Sequence, residues 1–179
     1  MRQPIRDGKL IYHLTSIGNF ESIIRHGLLP RNQLNDFVDI ADPEIIEFRG
    51  KNNINNYVPF HFFSKNPFDG RVQRDRPKER FIYICLLRSY ARQNGYLIIP
   101  QHPISMENFK MFSYDDGFAL IDWDTMDLRD YYNPYCKNVC MAECVSASPI
   151  QPTNFFSIFV KNSEAEKYVR HVTEYYLGE

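Results

Sequence analysis

Alternating and helically spaced apolar positions predict a succession of short strands and helices. Residues 10–15, LIYHLT, alternate as a strand does, and residues 16–29 follow with helical spacing. Ser16 is the predicted N-cap of that helix, and Gly27 is predicted to close it. Further runs rich in β-branched and aromatic residues predict strands at 57–63, 80–87, 96–100 and 155–160.

Two long segments lack this regularity. Residues 30–56 are polar, apart from a possible helical turn within DPEIIEFRG, and residues 101–133 are irregular and aromatic. Long connections inside a compact domain are usually functional. An amphipathic helix is predicted to close the chain, with Ser163 as its N-cap and Glu166 completing a capping box.

Length and charge narrow the class of protein. The 179 residues contain no repeat and no linker, which predicts a single domain over residues 1–179 with an α+β fold. A net charge of −1 excludes a global field that would draw the chain onto nucleic acid or an anionic membrane. Any polyanion site must therefore be local. Within the turn-rich segment 64–80, the basic loop 71–80 is either a solvated surface hairpin or a site of phosphate contacts, and its basic residues are Arg71, Arg74, Arg76, Lys78 and Arg80.

The cysteines and the lack of apolar leader or spanning segments suggest a cytoplasmic protein. No run approaches the roughly 18 apolar residues that cross a bilayer, so the cysteines are expected to be reduced. Cys136, Cys140 and Cys144 recur every fourth residue, which fits either one buried helical face or a zinc site. No C-x2-C pair accompanies them, and no metal is expected.

Three residues are candidates for chemistry. Glu143 stands alone in the small and apolar run NVCMAECVS, where a buried carboxylate requires either a partner or a function. His13 precedes the first helix and is either structural or a hydrogen-bond donor to a ligand beside Thr15. Arg49 is either an exposed loop residue or a residue that binds a pyrophosphate or carboxylate through two hydrogen bonds. Phosphate-cradling loops, G-x-S-x-G, HExxH and GxGxxG are absent from the sequence, so residue types alone leave the reaction open.

Four segments, taken in order, resemble the DarT family of DNA ADP-ribosyltransferases. IYHLTSIGNFESIIRHGLL is similar to the family's Y-H-x-T-x-I-x-N-L-x-x-I-L-x-x-G-x-L, and YVPFHFFSKNPF to its Y-V-P-F-Y-F-x-x-R-S-P-M. CMAECV resembles A-E-F-L-V, in which the Glu is catalytic, and FFSIFVKNSEAEKYVRHV resembles the closing strand and helix.

The resemblance implies an ADP-ribosyltransferase-like fold, a split mixed/antiparallel β core with flanking helices. NAD+ would be the co-substrate, and residues 33–49 would fold over it. Glu143 and Arg49 would be catalytic, and residues from about 113 to 142 would present the substrate to Glu143. The NAD+-binding candidates are His13, Leu14, Thr15, Ser22, Leu29 and Arg49.

The nucleic-acid side departs from the family pattern. Its Arg in x-R-S-P is replaced by Lys65 or Asn66, and His102 stands for a T-D-x-H-A-like segment. Phe60, Phe62, Phe63 and Tyr114 either stack on bases or fill the core. The DNA-binding candidates are Lys65, Asn66, Arg71, Arg74, Arg76 and His102.

The function implied by the resemblance is mono-ADP-ribosylation of a nucleobase in single-stranded DNA. The chain would then be the toxin of a bacterial toxin–antitoxin pair, acting in the cytoplasm, with a DarG-like macrodomain antitoxin as partner. Two alternatives stay open, namely an RNA or protein acceptor, and a non-catalytic nucleotide- or nucleic-acid-binding domain.

Overall fold

The computed structural model describes residues 3–41 and 43–178. The strands are β1 (Leu10–Ser16), β2 (Val58–His61), β3 (Phe81–Leu87), β4 (Leu97–Ile99), β5 (Glu143–Ser146) and β6 (Ser157–Phe159). The helices are α1 (Phe20–His26), α2 (Pro43–Lys51), α3 (Pro67–Asp75), α4 (Arg88–Gln93), α5 (Tyr114–Leu120), α6 (Trp123–Leu128), α7 (Pro134–Val139) and α8 (Ser163–Leu177).

Across the described residues, the strands form one six-stranded sheet in the order β4-β5-β2-β1-β3-β6, with antiparallel neighbours throughout. The ladder between β1 and β3 is long, running from Leu10 opposite Leu87 to Ser16 opposite Phe81. Between β1 and β2, the described residues form a single pair, Tyr12 with His61. The sheet therefore splits at its centre, as the expected split core requires, although its pairing is antiparallel rather than mixed.

The two larger core clusters lie on one face of this sheet, since their β3 residues Ile82, Ile84 and Leu86 share that face, and a smaller cluster of Ile54, Ile99 and Val145 lies on the other. One cluster packs α5, α6 and α7 against the strands, with Phe60, Phe62, Trp123 and Met126 among its buried side chains. A second cluster packs α1 and α8 against β3, because the apolar stripes of both helices turn inward. Position 27, after α1, requires glycine for two reasons. Its φ is +88°, and a Cβ there would lie 2.9 Å from the Ile150 carbonyl oxygen.

The three spaced cysteines are core residues, so the packing interpretation is the right one. Cys136 lies in α7, Cys140 follows its last residue and Cys144 lies in β5, and all three are buried. The single helical face expected from their spacing is wrong, because the helix ends before Cys144. No cluster of three or more potential His, Cys, Asp or Glu metal ligands occurs within residues 3–41 and 43–178.

Several predicted boundaries are wrong for local reasons. Ser16 ends β1 and caps a 3-10 turn through Gly18, so α1 begins only at Phe20. The closing helix is capped by Asn162, whose side chain accepts from the Ala165 amide; Ser163 is therefore not its N-cap and the expected capping box is absent. In the closing helix, the side chain that reaches the free amide, rather than residue spacing, sets the helix start.

Two segments expected to be irregular contain helices. The basic loop 71–80 is not a hairpin, because its first half belongs to α3, which begins at Pro67 with Asn66 as its N-cap. The segment 101–133 contains α5 and α6, which begin after the caps Ser113 and Asp122. A search of the described helices finds none with the length and apolar character needed to cross a membrane.

Candidate active site

A deep cleft opens where β1 and β2 separate. One side, the β1 wall, consists of His13, Leu14, Thr15, Ser22 and Leu29. The other side, the β5 wall, consists of His61, Phe68, His102, Met141 and Glu143. Arg49 also lines the cleft, so the structure gathers every NAD+-binding candidate and both catalytic candidates into one cavity.

Arg49 and Glu143 form a buried ion pair in this cleft. Arg49 Nη1 lies 3.0 Å from Oε1 and 2.8 Å from Oε2 of Glu143. The two residues are only 6% and 5% exposed. Arg49 belongs to the last turn of α2, so the expectation of a loop residue is wrong. Glu143 is the first residue of β5 and lines the cleft, which accounts for an acid in an otherwise apolar run.

The pair keeps the carboxylate ionised. Burial raises the pKa of Glu143, but the Arg49 guanidinium, assisted by His61 and His102, brings that pKa below its ordinary value. A fixed negative charge in a water-poor cleft can stabilise positive charge that develops on a bound substrate.

His13 is a neutral hydrogen-bond acceptor toward the cleft. Its Nδ1 lies 2.7 Å from the Pro59 carbonyl oxygen, which only accepts, so Nδ1 carries the proton. Burial lowers the pKa of His13 to about 4. Of the two alternatives for His13, a structural residue or a donor to a ligand, the hydrogen bond to Pro59 favours the structural one, because the donor is already engaged and Nε2 can only accept.

The main chain of Leu14 also faces the cleft. The amide of Ile17 bonds to Arg80 and that of Arg88 bonds to Lys9, so odd-numbered residues of β1 pair with β3. Leu14, at an even position, directs its N–H and C=O toward β2. Its opposite position on β2 is held by Pro59, which has no N–H, and the described part of the ladder ends at Tyr12. Leu14 therefore presents a strand edge to a ligand.

Asn19 is a site residue that the sequence analysis missed. Its Nδ2 donates to Thr15 Oγ1 at 3.1 Å and to the Val38 carbonyl at 3.0 Å, while its Oδ1 accepts from the Val38 amide at 2.8 Å. Arg31 and Asp39 also pair within this segment. Asn19 thus fastens the segment around Val38 over the β1 wall, and the Asn of the first motif was the available signal.

The DNA-binding candidates do not form one surface. Asn66 is fully buried and its side chain caps α3, so the expectation that it contacts DNA is wrong. Arg76 donates to the Asp39 carbonyl over the cleft, and Arg74 pairs with Asp75. Lys65 and Arg71 are exposed.

His102 belongs to the cleft rather than to an outer face. It lines the β5 wall, and burial lowers its pKa. The aromatic candidates Phe60, Phe62, Phe63 and Tyr114 are buried, so they fill the core and offer no stacking surface. Exposed rings include Tyr131 and Tyr132, which precede α7, and Tyr135 in its first turn.

This split sheet with a charged central cleft is the architecture of an ADP-ribosyltransferase. A family model described as "ssDNA thymidine ADP-ribosyltransferase, DarT" matches residues 12–176, and the chain therefore belongs to the DarT family. At the level of sequence, no curated protein matches it.

Solved structures share this fold at low sequence identity. Thermus sp. 2.9 DarT in complex with ADP-ribosylated ssDNA superposes with a TM-score of 0.84 at 18% identity, covering 99% of this chain and 93% of that one. The same Thermus protein in complex with NAD+ gives 0.78 at 17% identity, covering 96% and 91%. Thermosipho africanus DarTG in complex with ADP-ribose gives 0.73 at 16% identity, covering 92% of this chain and 47% of that one.

Proposed function

We propose that this protein transfers a single ADP-ribose from NAD+ to a thymine base in single-stranded DNA. The observation that carries the proposal is the buried Arg49–Glu143 pair at the centre of a cleft whose β1 wall offers an open strand edge. Membership of the DarT family supports the acceptor, and the Thermus structures with NAD+ and ADP-ribosylated ssDNA support both substrates.

The β1 wall suits the polar parts of NAD+. The Leu14 main chain can bond an amide on both its donor and its acceptor side. His13 Nε2 accepts one further hydrogen bond, and the hydroxyls of Thr15 and Ser22 lie in the same wall. These are our assignments for the NAD+-binding residues, with Leu29 supplying apolar surface.

Glu143 and Arg49 would act on the bond that breaks. Loss of nicotinamide leaves positive charge on the ribose, and an ionised carboxylate stabilises that charge without reorganising. Arg49 holds Glu143 ionised and fixes its orientation through one terminal nitrogen. In this proposal both residues are catalytic, Glu143 by electrostatic stabilisation and Arg49 by contact with Glu143 and the co-substrate.

We also infer a biological setting. NAD+ and exposed DNA strands occur together in the bacterial cytoplasm, where the four free buried cysteines would stay reduced. The structural likeness to Thermosipho africanus DarTG supports a toxin paired with a DarG-like macrodomain antitoxin that removes the modification.

The test is intact mass spectrometry of a mixed-sequence single-stranded oligonucleotide after incubation with NAD+ and either wild type or Glu143→Gln. One added ADP-ribose with wild type alone is the expected result, and fragmentation then locates the base. Nicotinamide release without DNA modification would redirect the search to RNA and protein acceptors. If the wild type neither releases nicotinamide nor modifies DNA, the alternative of a non-catalytic binding domain is favoured.

A further inference from the structure

His61 lies beside the catalytic pair and has no role in the mechanism so far. In the ladder between β2 and β5 it is directly opposite Glu143, so the two side chains share one face of the sheet. It is 8% exposed and lines the β5 wall, with its ring 5.8 Å from that of Phe68. The sequence motif did not mark His61 as a site residue, because the family pattern has Tyr at this position.

The geometry fixes which ring nitrogen of His61 is available. Nδ1 lies 3.0 Å from the Ala142 carbonyl oxygen, which only accepts, so Nδ1 carries a proton. Among the described residues, Nε2 has no hydrogen-bond partner. It is also not one of the side-chain nitrogen and oxygen atoms that are buried without a partner. Nε2 of the neutral ring therefore presents a lone pair to the cleft.

Three other titratable groups of the cleft are less suited than His61 to accept a proton. Glu143 is held by Arg49 in its ionised form, and its lowered pKa makes it a weak base. His13 belongs to the opposite wall and is weaker still, because burial lowers its pKa to about 4. His102 lines the same wall as His61, but no hydrogen bond of its ring fixes a tautomer among the described residues.

We propose that His61 is the general base that removes the imide proton of the acceptor thymine, a role that rests on the proposed transferase function. The N3–H proton passes to His61 Nε2, and the N3 electron pair forms the new bond to C1″ of the ribose. The bond from C1″ to the nicotinamide nitrogen breaks, and its electrons neutralise the pyridinium. Imidazolium then returns the proton to water.

Charged and titratable groups of both signs surround His61. Asp69 of α3 is buried, and the positive charge of His61 lowers its pKa against the larger effect of burial. The positive charge of His61 also lowers the pKa of Glu143. The opposing positive groups are Arg49 and, when protonated, His13 and His102. Phe68 supplies an apolar surface beside the ring of His61, and Met141 lines the same cleft.

The experiment compares two acceptors in wild type and His61→Asn. The Asn amide keeps a donor for the Ala142 carbonyl but removes the basic nitrogen. Single-turnover transfer to thymine in single-stranded DNA should fall by about 10²–10⁴-fold. With 5-fluorouracil in place of that thymine, the imide is more acidic and the loss should be at least about tenfold smaller. His171→Asn, an exposed position on α8, is the matched control.

Two outcomes would count against His61 as the base. Equal losses with both acceptors, in a variant that melts like wild type, would mean that His61 only positions the substrate. An undiminished rate with thymine would also overturn the proposal. Failure of the wild type to modify DNA would instead remove the proposed function itself.

Discussion

One nitrogen of Arg49, Nη1, reaches both carboxylate oxygens of Glu143, at 3.0 and 2.8 Å, across 94 positions of sequence. Both side chains are almost completely withdrawn from solvent. The contact joins the end of α2 to the start of β5 and so holds the end of this helix against the sheet. The pair therefore stabilises the fold as well as keeping Glu143 ionised.

Breaking this pair on one side should destabilise the protein. Arg49→Met leaves Glu143 buried without its cation, and we expect the free energy of unfolding to fall by about 3–5 kcal/mol. The double variant Arg49→Met/Glu143→Leu removes both charges and should recover most of that loss. Urea unfolding of the wild type, both single variants and the double variant measures the coupling. Additive losses would show that the two charges do not depend on each other.

Removing Arg49 should also change the pH dependence of activity. In the wild type, the lowered pKa of Glu143 keeps the carboxylate ionised at neutral pH, and nicotinamide release is lost as pH falls through that pKa. In Arg49→Met, burial acts without its main opponent and raises the pKa of Glu143, so the acid limb of residual nicotinamide release should move to higher pH. An unmoved limb would assign the acid limb to another group.

Arg88 should be a stability residue remote from the chemistry. It is 7% exposed and donates to the carbonyls of Leu10, Arg6 and Phe62 at 3.1, 2.9 and 2.8 Å. Its guanidinium also lies over the ring of Trp123. A lysine cannot reproduce three divergent donors, so Arg88→Lys should lower the free energy of unfolding by about 2–4 kcal/mol.

The Arg88→Lys prediction separates stability from catalysis. Nicotinamide release per folded molecule should stay within about twofold of the wild type, because Arg88 does not line the cleft. Thermal unfolding by circular dichroism, paired with activity at a temperature where the variant is folded, measures both quantities. Arg92→Lys, an exposed change on the same helix, is the control.

Neighbouring Lys65 and Asn66 should behave oppositely. Asn66→Ala removes the cap of α3 and should cost about 1–2 kcal/mol of stability, with the salt dependence of DNA binding unchanged. Lys65 is exposed, so Lys65→Ala should leave stability unchanged. If Lys65 contacts a phosphate, the slope of log affinity against log salt should fall by about 0.7 for a single strand. Fluorescence anisotropy across a salt series distinguishes the two.

The sequence predicted the strands better than the connections. Alternation of apolar residues located β1 and β3 within one or two residues, because one strand face must be buried. It missed α3, α5 and α6, whose starts depend on the single cap residues Asn66, Ser113 and Asp122 rather than on a periodic stripe.

The site was predicted unevenly for a similar reason. Glu143 stood out because a lone acid in an apolar run needs a partner, and family resemblance supplied Arg49. Nothing local to His61 or Asn19 indicates their contacts with Ala142 and Val38, since these arise only when the chain is folded. The tautomer of each cleft histidine depends on such contacts and cannot be predicted from residue spacing.

The single Tyr12–His61 pair has a mechanical consequence. It leaves the protein as two three-stranded half-sheets, β4-β5-β2 and β1-β3-β6, joined through one rung of backbone hydrogen bonding. A molecule that bonds to the Leu14 main chain and also contacts the β5 wall takes the place of the missing rungs. The bound substrate then holds the two half-sheets together, and amide protons of β1 and β2 should exchange more slowly when it is bound. Catalysis would occur in the state in which the two halves are least free to move.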